Sequence, residues 1–315
     1  MSSEDGTTFT FTSDDGTPLC VHRWLPDGPL QAVVQIVHGM AEHAGRYGRL
    51  AAALNAAGYG VYAHDQRGHG QSVPEGVEPG HMADDDGWKR SVTDIHLLNR
   101  QISQEHADLP LVLFGHSMGS LMLQQVLAAY PDDGCGFVLS GTSGSPPPIA
   151  AAGRLVARIE RARLGRQGKS SLLNALSFDD FNKRFRPNRT DFDWLSRDGA
   201  EVDAYIDDPL CGFVVSVQCW IDLLDALPKL TARANLAAIP KDKPIYVMSG
   251  SRDPVGDMGK SVKQLVDAYR GAWLTDVEIK LYDEGRHEML NEINRDEVIE
   301  QLLAWLARVI EQARA

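Results

Sequence analysis

Short apolar runs alternate with amphipathic segments along most of the chain. Residues 32–37 form a nearly continuous apolar run, which is typical of a strand buried on both faces of a parallel sheet. Similar strand signals occur at residues 61–63, 109–114, 137–140, 245–248 and 277–282. Helical spacing of apolar residues occurs at 47–57, 88–105, 118–130, 261–269 and in the last segment of the chain. This alternation predicts an α/β fold, with a mostly parallel central sheet and helices on both faces.

Two regions depart from this alternation. Residues 7–13 and 18–24 are strand-like and are joined by Asp14-Asp15-Gly16, which predicts an antiparallel hairpin. After Gly141, residues 142–148 have the composition of a linker, and the pattern is then helical, without a clear strand, to about residue 240. We therefore expect a first core part at residues 1–142, a helical insertion at 143–238 and a second core part at 239–315.

Composition and charge exclude several classes of protein. The 315 residues include 31 Lys and Arg against 43 Asp and Glu, a formal net charge of −12, which argues against a nucleic-acid-binding protein. The four cysteines form no CxxC pair, and no run of 18 apolar residues predicts a membrane span. Together with a polar N-terminus, these features favour a reduced, cytoplasmic protein.

Metal and dinucleotide motifs are missing from the sequence. The pairs His38/His43 and His64/His69 lie in glycine-rich loops, and there is no HExxH motif. No GxGxxG motif follows a predicted strand in a dinucleotide-binding context. We expect no metal and no cofactor.

The strongest chemical signal is Gly115-His116-Ser117-Met118-Gly119. It follows the predicted strand at 109–114 and opens a predicted helix, which is the context that a nucleophile elbow requires. Glycines on both sides allow the sharp turn that lifts the Ser117 hydroxyl to the carboxyl edge of the sheet. We expect Ser117 to be a catalytic nucleophile.

A serine hydroxyl needs a base, and the base needs a carboxylate that orients it. His287 is the only histidine after Ser117, and it follows the predicted strand at 277–282. Asp253 follows the preceding strand and is the expected acid. Asp257 is the alternative, and Asp283 is disfavoured because it is too close to His287 in sequence.

The developing oxyanion needs two backbone donors. One is expected at Met118, the residue after the nucleophile, because that amide lies at a helix N-terminus. The other is expected at Met40, in the loop after the buried strand at 32–37.

Several segments together resemble the monoacylglycerol lipases and related lysophospholipase-like members of the α/β hydrolases. They are 38–47 HGMAEHAGRY, 65–72 DQRGHGQS, 115–120 GHSMGS, 250–255 GSRDPV and 287–292 HEMLNE. The resemblance covers residues 20–142 and 240–312 and implies an α/β-hydrolase fold. It also implies Ser117, Asp253 and His287 as triad, and the amides of Met40 and Met118 as oxyanion hole.

The resemblance further implies substrate-binding roles at the polar end of the pocket for Gly39, Glu42, His43, Arg46 and His116. For Glu42, His43 and Arg46 the alternative is that they only brace the loop through ion pairs. The insertion is implied to be a lid over an acyl-binding cleft. Asp208-Pro209-Leu210 is similar to a family feature within that lid.

Two groups in the insertion allow more than one interpretation. Basic residues interleaved with apolar ones predict either a weak peripheral contact with a membrane or a solvated helix face; they are Arg154, Arg158, Arg161, Arg163, Arg166 and Lys169. Apolar residues line an acyl tunnel or bury the insertion's own face; they are Leu172, Leu173, Leu176, Phe178 and Phe181.

The sequence therefore predicts a serine hydrolase that cleaves carboxylic esters, with monoacylglycerols as the first substrate class. A small acyl ester is the expected partner, and nucleic acid is not. Alternatives with the same triad are a lysophospholipase, a general carboxylesterase and a cofactor-free perhydrolase. A non-catalytic binding protein on a hydrolase scaffold is a further alternative.

Overall fold

The computed structural model describes residues 6–146 and 149–315; two prolines of the predicted linker and the polar N-terminal residues 1–5 lie outside this range. The strands are β1 Thr7–Thr12, β2 Pro18–Trp24, β3 Ala32–Val37, β4 Tyr59–His64, β5 Leu111–His116, β6 Gly136–Ser140, β7 Ile245–Gly250 and β8 Val277–Tyr282. The helices are α1 Gly48–Ala56, α2 Gly87–Glu105, α3 Met118–Ala129, α4 Ile149–Leu164, α5 Ser171–Asn174, α6 Asp180–Lys183, α7 Gly199–Asp207, α8 Val217–Leu230, α9 Arg233–Ala238, α10 Lys260–Gly271 and α11 Arg295–Arg314.

The eight strands form one sheet in the order β1-β2-β4-β3-β5-β6-β7-β8. The hairpin of β1 and β2 is antiparallel, and β2 also runs antiparallel to β4. All remaining neighbours are parallel. The carboxyl ends of the parallel strands therefore lie at one edge of the sheet, where the loops after β3, β5, β7 and β8 meet.

Alternation of side chains along the central strands produces two apolar layers. Val33 and Val37 of β3 belong to one core, and Val34 and Ile36 belong to the other. All six residues of this strand are buried, as the apolar run predicts. The sheet is therefore covered on both faces.

Each layer is completed by helices. On one face Leu54 of α1 packs in the same core as Leu302 of α11. On the other, Ile95 of α2, Leu123 of α3 and Leu265 of α10 share a core. This arrangement confirms the predicted α/β-hydrolase fold.

The chain between β6 and β7 contains six α-helices, α4 to α9, a π-helical turn at Ala175–Asp179, and no strand among its described residues. Its regular pairing is limited to one isolated bridge between Lys169 and Ser216. We refer to residues 143–238 as the inserted segment. Helix α8 packs against α2 and α3 of the core, so the segment lies over one face and the adjacent edge of the sheet.

A buried polar network fixes the loop after β4. Asp65 accepts the N–H groups of Ala44 and Gln71, each at 2.7 Å, and the Ser72 hydroxyl donates to the Asp65 carbonyl at 2.6 Å. The Arg67 guanidinium pairs with Asp94 at 2.5 Å. These contacts join the loops after β3 and β4, so they hold the loop that carries Met40.

Across the described residues, every helix is too short or too polar to cross a membrane.

Candidate active site

Ser117 lies at a sharp turn between β5 and α3. Its backbone angles, φ 50° and ψ −120°, lie outside the regions that residues other than glycine usually adopt. A methyl group on Gly119 would lie 2.1 Å from the Val37 carbonyl oxygen, and one on Gly115 would lie 2.7 Å from the Gly119 carbonyl oxygen. Both glycines are therefore required for α3 to approach the sheet this closely.

Asp253 and His287 form a buried pair at the carboxyl edge of the sheet. Asp253 follows β7 and His287 follows β8, and both carboxylate oxygens lie 3.0 Å from His287 Nδ1. The Ser249 hydroxyl and the Val255 amide also donate to this carboxylate, each at 2.9 Å. Asp257, the alternative acid, is half exposed and lies 3.7 Å from Arg184 instead.

The electrostatics of the pair favour its charged form. Burial alone would raise the pKa of Asp253, but the His287 charge and hydrogen bond hold that pKa below its usual value. Burial alone would lower the pKa of His287, but the Asp253 charge and hydrogen bond raise it. Asp253 is therefore ionised, and it fixes the Nδ1–H tautomer of His287, which leaves Nε2 as the basic nitrogen.

Ser117 and His287 line the same cavity, whose volume is about 160 Å³. Met40 and Gly39 form part of its wall, and a methyl group on Gly39 would lie 3.1 Å from Ser117 Cβ. Met118 is the first residue of α3, so its amide has no partner within that helix. The loop after β3 and the N-terminus of α3 thus both reach the space around the Ser117 side chain.

Glu42 fixes the loop that carries Gly39 and Met40. Its carboxylate accepts the Gly39 amide at 2.5 Å and the Tyr47 hydroxyl at 3.0 Å. Burial opposes its ionisation, but Arg46 lowers the pKa of Glu42 to about 2. Glu42 also lines the cavity, so it both braces the loop and presents a charge to the cavity.

Arg46 connects this loop to the loop that carries His287, which we call the histidine loop. Its guanidinium donates to Glu42 at 2.7 Å and to both oxygens of Glu288 at 2.7 and 2.8 Å. The guanidinium also lies over the Tyr205 ring, 4.9 Å from its centre. Arg46 is therefore engaged by ion pairs, and it is not among the described residues that line the cavity.

His116 and His43 occupy different surroundings. The His116 ring lies 4.7 Å from the His287 ring and lines the cavity, and burial together with the His287 charge lowers the pKa of His116 to about 4. His43 lies outside the described cavity wall, with Nε2 at 2.9 Å from an Asp208 oxygen. Of the five expected substrate-binding residues, Gly39, Glu42 and His116 thus face the cavity.

The inserted segment supplies much of the cavity wall, which sequence reasoning only partly anticipated. Its lining residues include Phe178, Phe192, Trp194, Leu195, Tyr205 and Phe213. The sequence left open whether an apolar group of this segment lines an acyl tunnel or buries the segment's own face. Of this group, Phe178 faces the cavity and Leu173 is buried, whereas Leu172 and Leu176 are exposed. Phe192 and Trp194 alternate with aspartates at 191–194, and this pattern is the sequence signal by which those two residues could have been found.

Trp194 and Leu195 bind the inserted segment to the histidine loop. The amides of His287 and Glu288 donate to the carbonyls of Trp194 and Leu195, at 3.4 and 2.8 Å. The Trp194 ring also lies 5.0 Å from the His287 ring. The segment therefore contacts His287 directly, and it forms part of the cavity wall.

An eight-stranded, mostly parallel sheet with a serine at a strained strand-to-helix turn defines an α/β hydrolase of the serine type. The family described as "Serine aminopeptidase, S33" matches residues 28–294. The chain belongs to this family.

Among known proteins, the chain is 28% identical over 311 residues to a monoacylglycerol lipase of Mycolicibacterium smegmatis, covering 97% of this chain and 99% of that protein. It is 29% identical over 311 residues to the monoglyceride lipase of Mus musculus, covering 96% and 90%. A thermostable carboxyl esterase from Bacillus coagulans superposes with a TM-score of 0.88 at 27% identity, covering 96% and 98%. These relatives confirm the predicted resemblance and the prediction of a carboxylic ester hydrolase.

Proposed function

We propose that this enzyme hydrolyses monoacylglycerols to fatty acid and glycerol through an acyl-enzyme on Ser117. The proposal rests chiefly on one observation, that Ser117 and the Asp253-paired His287 face one cavity with polar and aromatic walls. The near-full-length relatives named monoacylglycerol or monoglyceride lipase support the substrate class.

In the first half of the reaction His287 Nε2 removes the Ser117 proton, and the Ser117 oxygen attacks the ester carbonyl carbon. The Met40 and Met118 amides hold the oxyanion that develops. When the tetrahedral intermediate collapses, His287 gives its proton to the departing glycerol oxygen. Asp253 remains ionised throughout and stabilises the His287 cation.

In the second half a water molecule takes the place of glycerol. His287 removes a proton from this water, whose oxygen attacks the acyl carbon, and the ester bond to Ser117 then breaks. The proton returns to Ser117, and the fatty acid leaves. Burial of the site excludes bulk water, which strengthens the interaction of the two amides with the oxyanion.

The cavity walls support an ester with one acyl chain and a small polar head. Glu42, His116 and Glu288 contribute polar groups to the wall. The inserted segment contributes aromatic walls from Phe178 and Trp194, which suit an alkyl chain. We propose that the glycerol hydroxyls bind to the polar groups and the acyl chain to the aromatic ones.

We also propose that residues 143–238 act as a cap on a core made of residues 1–142 and 239–315. The hydrogen bonds from the His287 loop to Trp194 and Leu195 support this division. In this arrangement the triad belongs to the core, while the cap determines which acyl chains fit.

A panel of substrates tests the substrate class. We expect the highest kcat/KM for monoacylglycerols, when measured against lysophospholipids, nitrophenyl esters of graded length and an aminoacyl anilide. The Ser117→Ala chain serves as the matched control for contaminating esterases. The proposal would be overturned if the wild-type enzyme had a higher kcat/KM for lysophospholipid or the anilide than for monoacylglycerol, and if Ser117→Ala did not show that activity.

A weak contact of the cap with membranes is supported more by apolar than by basic side chains. Arg154 and Arg158 pair with Asp225, and Arg163 pairs with Glu160. The exposed aliphatic side chains of the same region are Ile149, Leu155, Ile159, Leu172 and Leu176. We propose that these aliphatic residues make the contact.

Partitioning into phosphatidylcholine vesicles tests this contact. The double change Leu155→Ser and Ile159→Ser should reduce partitioning, because it removes exposed apolar area from α4. Val77→Ser, at an exposed site outside the cap, is the matched control. Equal partitioning of the double variant and the wild type would contradict a contact through α4.

A further inference from the structure

His43 lies in a group of three side chains that are common metal ligands. His43 Nε2, an oxygen of Asp208 and Cys211 Sγ lie within 4.8 Å of one another. All three residues are partly exposed, so an ion from solvent can reach them. We propose that this His–Asp–Cys cluster binds Zn²⁺ and thereby links the cap to the loop that carries Met40.

The donor set and its spacing fit Zn²⁺. Imidazole, carboxylate and thiolate are its usual protein ligands, and three of them with one water complete a tetrahedral site. Two nitrogen or oxygen ligands in such a site lie about 3.3 Å apart. His43 Nε2 and Asp208 Oδ2 are 2.9 Å apart, so an ion requires these two atoms to separate by only a few tenths of an ångström.

The backbone already orients two of the ligands. The Leu210 amide donates to Asp208 Oδ1 at 2.8 Å, which directs Oδ2 towards His43. The Cys211 amide donates to the Asp208 carbonyl at 3.0 Å and closes the turn between the two residues. A methyl group on Gly45 would lie 3.0 Å from His43 Nδ1, so glycine there leaves room for the ring.

The charges of the cluster balance those of a divalent cation. Burial raises the pKa of Cys211 well above its usual value, and the charged groups around this thiol are Arg46, Glu42, Asp208 and Glu288. Binding of Zn²⁺ would displace the thiol proton of Cys211 to solvent. The Cys211 thiolate and the Asp208 carboxylate would then neutralise the charge of Zn²⁺.

The bound ion would join two parts of the chain that already touch. His43 belongs to the loop after β3, while the other two ligands belong to the cap. The Gly212 amide and the Tyr205 hydroxyl both donate to the Ala41 carbonyl, at 3.0 and 2.9 Å. Zn²⁺ would add a third link beside these, and this inference does not depend on the ester that the enzyme cleaves.

Titration with Co²⁺ tests the site in the catalytically disabled Ser117→Ala chain, so the result is independent of hydrolysis. We expect one Co²⁺ per chain, a thiolate-to-cobalt charge-transfer band, and competition by Zn²⁺. Cys211→Ser should abolish the band. Cys20→Ser is the matched control, because Cys20, His22 and Asp65 form a second such group, and this variant should keep the band.

His43→Gln provides a second variant that keeps the thiol, and it should weaken Co²⁺ binding by a factor of about ten or more. Circular dichroism of the metal-free variants confirms that each one folds. Absence of the charge-transfer band at saturating Co²⁺ would overturn the proposal. So would a band that survives Cys211→Ser and disappears with Cys20→Ser.

Discussion

Asp253 is fully buried, and its carboxylate accepts hydrogen bonds from His287, Ser249 and Val255. An isolated buried carboxylate would take up a proton, because burial disfavours its charge. Here the His287 side chain and two further donors keep it ionised. The same contacts hold His287 in one orientation, so the role of Asp253 is set by its neighbours.

Replacing Asp253 by Asn tests this role at the residue scale. Asp253→Asn keeps the size of the side chain but removes the charge that stabilises the His287 cation. We expect kcat on a soluble ester to fall by about 10³- to 10⁴-fold. Asp257→Asn, at the exposed alternative acid, is the control and should retain wild-type kcat. Equal losses in the two variants would contradict the assignment.

The pH profile reports on His287 itself. Because Asp253 raises the pKa of His287, the protonated and inactive form persists to a higher pH than it does for an ordinary histidine. Activity should therefore rise with pH through a midpoint above 6.5, the usual value. The measurement is kcat/KM against pH, and a midpoint at or below 6.5 would contradict the shift.

At the scale of elements, the junction of β5, Ser117 and α3 depends on close approach to β3. Gly119 lies against the carbonyls of Val37 and His38, where a methyl group would lie 2.1 and 2.5 Å from the two oxygens. The contact is between backbones, so no side chain can move aside to relieve it. The strained turn at Ser117 persists because β5 and α3 are both packed on these neighbours.

Gly119→Ala should therefore destabilise the fold and reduce activity together. We expect a loss of about 3 kcal/mol or more in the free energy of unfolding, because α3 must move away from β3. Gly153→Ala in α4 is the matched control. Its nearest neighbour would be 4.0 Å away, so alanine should stabilise the helix by about 0.5–1 kcal/mol. Urea unfolding of both variants measures the difference, and equal stabilities would argue against the tight junction.

The elements themselves could be predicted from the sequence, because their signals are local. A nearly continuous apolar run, five apolar residues interrupted only by Gln35, identified β3. The Gly115–Gly119 motif after a strand identified the turn before α3. The difference in burial between Leu172 and Leu173 could not be predicted. Both are apolar neighbours, yet Leu172 is exposed and Leu173 is buried, because the fold of the inserted segment decides which face is covered.

At the scale of the whole molecule, contacts between distant residues hold the two halves of the site together. Arg46 and Glu288 are 242 positions apart in sequence, and Trp194 contacts His287 from within the inserted segment. Hydrophobic periodicity reports on local structure and does not identify such pairs. A single sequence therefore indicates the residue types but not which residues contact each other. The order of the motifs predicted that the segments before and after the inserted segment form one site. The contacts between these segments could be identified only from the folded structure.

Glu292 connects the inserted segment to the loop that carries His287. It is fully buried, and its carboxylate accepts the Arg286 amide at 2.9 Å and the Arg197 guanidinium at 2.9 Å. Arg286 directly precedes His287, whereas Arg197 belongs to the inserted segment. One carboxylate therefore contacts both the histidine loop and the inserted segment.

Glu292→Gln should loosen both contacts. It leaves the Arg197 cation without its partner, and we expect a loss of about 3 kcal/mol in the free energy of unfolding. We also expect a lower kcat, because the His287 loop loses its support. Glu297→Gln is the control, since Glu297 is exposed and its side chain accepts only side-chain amides in the described structure. Wild-type kcat in Glu292→Gln would contradict the coupling.

We propose that Ser117 is the nucleophile and that His287 activates it. Mass spectrometry of the protein after treatment with a fluorophosphonate tests it most directly. We predict a single adduct that maps to Ser117, that is lost in Ser117→Ala together with ester turnover, and that forms far more slowly in His287→Gln. An adduct on another residue, or near-wild-type turnover by Ser117→Ala, would contradict the account.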